Sequence, residues 1–206
     1  MTSTSAEDAK WLRWVEIQKG ATLLWMQGDA AKAIHEINHF LASEVVPDLR
    51  RDALTFRGHI YDDQGDPDSA RADLLSALEI AEKYLLERYS IEISLAALCV
   101  RQGKLKEAER WALSALQTAA ADPKTSGAGA LQKLITIRGA ETFSTEERKL
   151  IKKVVHQAWS LLRVEGQPDL AALDATTTKL LRAHRGPFSA ERPPTPKAYE
   201  EPVTED

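Results

Sequence analysis

The 206 residues suit one large domain or one short repeat array, and a hydrophobic content of 43 % is enough for a core, which excludes a wholly disordered chain. A net charge of −4 argues against a general polyanion binder, and the single cysteine, Cys99, excludes an intramolecular disulfide and a multi-cysteine zinc site. No apolar run reaches the length of about 18 residues that a membrane span needs, and residues 1–8 lack the basic and apolar stretches of a signal peptide, so a soluble cytoplasmic protein is expected.

In chain order, apolar residues at helical spacing predict helices over 6–27, 30–43, 48–64, 67–84, 87–102, 105–121, 127–138, 145–164 and 168–184. Ser5 with Asp8 and Ser144 with Glu147 read as capping boxes, Asp48 after Pro47 as an N-cap, and Asp66-Pro67 as an N-cap followed by a first-turn proline. Asp122-Pro123 ends the sixth helix, and residues 125–129 read as a flexible joint. Residues 187–206, rich in proline and acidic groups, cannot bury a core and are expected to be a disordered tail.

One signature repeats. Gln27-Gly28-Asp29 precedes Ala33, Gln64-Gly65-Asp66 precedes Ala70, Gln102-Gly103-Lys104 precedes Ala108, and Glu165-Gly166-Gln167 precedes Ala171. Gly28, Gly65 and Gly103 follow one another at nearly constant intervals, and about 25 extra residues separate the fourth copy. Each copy reads as a helical hairpin. Glycine adopts the positive φ that ends a helix, and alanine five residues on lets the second helix approach closely.

Small residues stand seven before the glycine (Ala21, Gly58, Ala96), followed by Leu24, Tyr61 and Cys99. After each alanine come Ile37, Leu74 and Ala112, then Phe40, Ala77 and Ala115. This pattern resembles the tetratricopeptide repeat family, closely over residues 8–121 and weakly over 145–184, where Trp159 fills the small slot. Phe40 also departs from the family's small residue. The resemblance implies an all-α, right-handed α-solenoid: three repeats in 1–121, a divergent helical segment in 122–186, and the tail. Helix 127–138 pairs with 145–164, or 145–164 pairs with 168–184 and leaves 127–138 as an extra element; the Gly166 signature favours the second arrangement.

His35-Glu36-Ile37-Asn38-His39 matches the zinc-peptidase motif H-E-x-x-H. In the repeat frame Ile37 is the core residue, which turns His35 and His39 outward without a cleft or a third ligand, so no metal, cofactor or catalytic residue is expected. Cys99 occupies a core slot rather than a nucleophile's position. Glycines 127 and 129 make no phosphate loop.

The resemblance implies a groove lined by the first helix of each pair, which binds peptides or partner helices. Its large apolar and aromatic groups are Trp25, Met26 and Phe56, with Asp52, His59, Asp62 and Asp63 making the middle acidic and Arg101 beyond. Trp25 and Phe56 either face the groove or fill gaps between helices. A client with an apolar anchor and basic residues would suit this lining. A branch of the family that grips chaperone C-terminal carboxylates uses Lys, Asn and Arg where this chain has Thr22, Thr55, Phe56, His59, Ile93 and Ser94, so that role is not expected.

Trp11 and Trp14 open the first helix and suggest either self-association or a partner surface, or else burial beneath helix 30–43 or the C-terminal tail. Lys149, Lys152 and Lys153 form a small basic face in a mildly basic C-terminal segment, whereas the repeat array and the tail are acidic. The expected function is that of a non-enzymatic protein-binding adaptor, scaffold or regulatory subunit. A dedicated inhibitor, immunity protein or secretion chaperone is the alternative, and zinc peptidase chemistry at His35 and His39 is a remote third.

Overall fold

The computed structural model describes residues 6–43, 45–122, 125, 127–138, 143–151 and 153–154. Every regular element among them is helical: α1 (Ala6–Met26), α2 (Ala30–Leu41), α3 (Pro47–Asp63), α4 (Pro67–Tyr84), α5 (Tyr89–Arg101), α6 (Leu105–Ala121) and α7 (Ala128–Arg138), with helical backbone again at 145–151. The helix expected over 168–184, the Gly166 signature, the tail 187–206, Ser5 and Lys152 lie outside the described residues.

Each of the three hairpins closes on its glycine. Gly28, Gly65 and Gly103 have φ of 85°, 74° and 71°, a region costly for a residue with a Cβ. That geometry turns the next two amides back onto the helix. The amide of Gly28 donates to Trp25 O and that of Asp29 to Leu24 O, the same pair recurs from Gly65 to Asp62 and Asp66 to Tyr61, and again from Gly103 to Val100 and Lys104 to Cys99. These are Schellman motifs, which satisfy carbonyls the helix end would leave unpaired. Asp29 and Asp66 then cap α2 and α4 by accepting from the amides of Lys32 and Ser69.

The start of α3 differs from the sequence expectation. Val46, extended and without a side-chain cap bond, precedes the helix, and Pro47 is its first residue. Proline lacks the amide that a cap would satisfy and has a helical φ already set, so it opens the helix itself. Asp48 falls inside the first turn. The Ser144–Glu147 capping box does form: Glu147 Oε2 accepts from the Ser144 amide at 2.8 Å and Ser144 Oγ from the Glu147 amide at 3.3 Å.

Packing follows the repeat. The members of each pair, α1–α2, α3–α4 and α5–α6, lie against one another, and the alanines after each turn, Ala33, Ala70 and Ala108, are wholly buried. The tightest approach is at Gly58, where a Cβ would stand 3.2 Å from both Ala70 O and Leu74 Cγ. First helices also touch successive first helices, α1–α3, α3–α5 and α5–α7, and no comparable packing joins α2, α4 and α6. The first helices therefore form the closer, inner row, as in a helical repeat.

The core of the described array falls into three clusters, with half-buried Leu41 and Trp111 packed between neighbouring ones. One cluster holds Trp14, Ile37, Phe40 and Ile60, a second Leu74, Ile91, Leu95 and Leu98, and a third Leu116, Leu134, Phe143, Ile151 and Val154. Arginine–carboxylate pairs cross between helices. Arg57 on α3 binds Asp73 on α4 through two bonds of 2.7 and 2.6 Å and also reaches Asn38 on α2. Arg71 on α4 pairs with Glu107 on α6, and Arg138 on α7 with both Glu109 and Glu147. Forked guanidinium contacts of this kind fix orientation as well as charge.

Beyond α6, α7 stands to α5 and α6 as α5 stands to α3 and α4, in the position of a first helix. Its amide at Ala130 donates to Tyr89 Oη on α5, and a Cβ on Gly127 would collide with Val154. The residues described from 143 to 154 thus close over α7, which supports pairing it with the helix that begins at 145.

Candidate functional site

The inner row carries the groove residues predicted from the sequence, and the same slots of successive repeats meet one another. The residue three before a turn glycine bonds the residue two before the next. In the first seam this is Trp25, whose Nε1 donates to Asp63 Oδ2 at 2.9 Å. In the second it is Asp62, which accepts from Arg101 Nε at 3.1 Å and again from Arg101 Nη2. A second bridge joins the residue six before one glycine to the residue nine before the next: His59 Nε2 lies 2.7 Å from Ser94 Oγ.

The first seam is aromatic. Phe56 lies edge-on to Trp25 at 6.1 Å and to Trp14 at 6.3 Å, and Trp14 stacks on Phe40 at 5.0 Å. Such pairs hold geometry beyond the burial of area. Phe40, the residue that departs from the small family slot, is what Trp14 stacks upon. Trp25 and Phe56 are half-buried and pack between α1 and α3, as in the second of the two alternatives read from the sequence.

The second seam is polar. Burial, and then the positive charge of Arg101, push the His59 imidazole below its ordinary value. Both causes favour the neutral imidazole. Asp62 is ion-paired to Arg101, Asp63 is bonded to Trp25, and Asp52 accepts from its neighbour Arg51 at 2.5 and 2.8 Å. The acidity expected for the middle of the groove is thus answered in large part by the protein's own donors. Sequence reasoning paired none of these residues, although the equal offsets from each glycine were the signal that could have done so.

Met26 is 79 % exposed at the end of α1. Trp14 is only 3 % exposed and belongs to the core, whereas Trp11 is open to solvent. This corrects the expectation of a surface formed by the two tryptophans together: Trp14 alone is covered, by Phe40 of α2 and Phe56 of α3, as the burial alternative has it. Lys149 is exposed and pairs with Glu146 at 2.8 Å, and Lys153 is exposed.

His35, Glu36 and His39 are exposed on α2, on the opposite side from buried Ile37. Among the described residues no three His, Cys, Asp or Glu side chains gather in a way that could hold a metal ion. Cys99 is buried, and burial raises its thiol above the usual range. A buried carboxyl group escaped the sequence reading: Glu92 on α5 is 1 % exposed and accepts from Ser114 Oγ at 2.7 Å. No helix among the described residues is long and apolar enough to cross a membrane.

The family model for the tetratricopeptide repeat matches residues 92–114, which span most of α5, the Gly103 turn and the first part of α6. The match supports the resemblance read from the repeated glycines, and repeats of this family are typically non-catalytic modules for protein–protein interaction. No curated protein matches the chain.

Proposed function

We propose that the protein is a non-enzymatic binding module that holds a segment of a partner protein along the inner row of α1, α3 and α5. The observation that carries this reading is the row itself: Trp25, Met26, Phe56, His59, Asp62, Asp63 and Arg101 all come from first helices, and all but Met26 make contacts across one of two seams, Trp25 with Asp63 and Phe56, His59 with Ser94 and Arg101 with Asp62. Because the seams hold their own charges, the client gains most from apolar contact with Met26, the exposed edges of Trp25 and Phe56, and half-exposed Ala97 on α5. Its basic residues would meet Asp63 and the rim of Asp62. Apolar anchors in partly formed clefts carry most of the energy in interfaces of this type.

A clean test adds bulk rather than removing a seam. Ala97→Arg adds a long side chain to α5 and leaves every residue of the bonds described above in place. Affinity capture with the wild-type chain and this variant should show at least about a tenfold loss of the client for the variant, with an unchanged melting temperature. Equal capture by both proteins would remove the inner row as the binding surface. A single stoichiometric partner in the wild-type capture would favour a dedicated inhibitor or secretion chaperone over an adaptor with several clients.

A further inference from the structure

Every later first helix has the second helix of the preceding pair beside it: α3 has α2, α5 has α4 and α7 has α6. α1 has no such neighbour among the described residues. Its outward face nonetheless carries large apolar groups, since Trp11, Leu12, Leu23 and Met26 are all exposed. At 3.6 residues per turn, Leu12, Glu16, Lys19 and Leu23 fall within about 40° of one line along the helix. Glu16 and Lys19 are exposed as well, and Gly20 leaves open space where a Cβ would be.

The order of these residues is self-complementary on reversal. Laid against a second α1 running the opposite way, with the twofold axis between residues 17 and 18, Leu12 stands level with Leu23 of the second copy. Glu16 stands level with Lys19 of the second copy. A twofold contact needs this property, because the same patch must serve both partners.

We propose that the outward face of α1 is the contact of a homodimer, in which two copies of this chain join their solenoid ends through antiparallel α1 helices. Leu12 and Leu23 supply the apolar contact, and the Glu16–Lys19 pairs between copies fix register and direction. Met26 sits where this face turns into the inner row, so the dimer leaves α3 and α5 open to a client. The Ala97→Arg test above, placed on α5, is independent of the dimer.

Sedimentation equilibrium of the full chain tests the proposal. The wild type should show a concentration-dependent monomer–dimer equilibrium. Leu23→Lys should be monomeric throughout the same range. Glu16→Lys and Lys19→Glu should each weaken the dimer about tenfold, since attraction at two symmetry-related places becomes repulsion. The double variant with both changes should return to near wild-type affinity, a recovery that a merely structural role for either residue would not produce. Circular dichroism on each variant checks that helicity is kept. A wild type that stays monomeric, because another part of the chain or a different protein covers α1, would overturn the proposal. So would a double variant that folds and fails to recover.

Discussion

The two seams between successive first helices use the same slots of the repeat and fill them with different chemistry. Between α1 and α3 the bridge is Phe56 set edge-on to Trp14 and Trp25, with Phe40 of α2 stacked on Trp14, closed by one bond from Trp25 to Asp63. Between α3 and α5 it is an ion pair from Asp62 to Arg101 and a hydrogen bond from His59 to Ser94. The repeat therefore fixes where neighbours meet and leaves open how they are held. An aromatic seam gains from removing area from water and responds little to pH or salt. A polar seam gains less and responds to both.

The largest difference between the seams should appear on truncation. Trp14→Ala removes the ring on which both Phe40 and Phe56 pack, and deleting a buried tryptophan costs about 3–5 kcal/mol. Urea unfolding should show that loss, and it should be nearly the same at low and high salt. A loss that shrinks sharply in salt would mean the first seam is electrostatic after all.

The second expected effect is a pH dependence confined to the polar seam. Because the folded state holds the His59 value below that of the unfolded chain, ordinarily 6.5, the unfolded chain takes up the proton first as pH falls. The stability linked to His59 is fully present above about pH 6.5 and is lost progressively below it. Unfolding followed at several pH values should show that decline in the wild type and in Trp14→Ala, and a weaker decline in His59→Gln. A decline equally steep in His59→Gln would assign it to other groups.

The smallest effect belongs to the ion pair. Arg101 is more than half exposed in its pair with Asp62, so Arg101→Gln should cost about 0.2–1 kcal/mol and less at high salt. The same change removes a positive charge from beside His59 and should raise its value, which an imidazole NMR titration would read directly. A lowered or unmoved titration would contradict the geometry of the seam.

Much of the helical framework was legible in the sequence because it rests on local rules. A glycine followed five residues later by alanine marks a turn and a close approach, and the helix bounds follow from caps and breakers to within about two residues. The turn after α4 was less legible, since Leu85 takes a left-handed φ of 55° there without the glycine that usually signals it. The ties between helices were not legible. Arg57 meets Asp73, Arg71 meets Glu107 and Arg138 meets Glu109 across separations of 16, 36 and 29 residues, and nothing local marks an arginine as paired. The tryptophans illustrate the same limit. Spacing placed Trp11 and Trp14 on α1, but only the arrival of Phe40 and Phe56 from other helices decided that Trp14 is core. The places of the inner-row residues on their helices were legible, and their mutual bonds were not.

Hydrogen exchange of the wild-type chain, alone and with its captured client, tests the binding role most directly. Amides that gain protection should lie on α1, α3 and α5, with those of α2, α4 and α6 unchanged. Protection confined to α2, α4 and α6, around exposed His35 and His39, would contradict an inner-row binding surface.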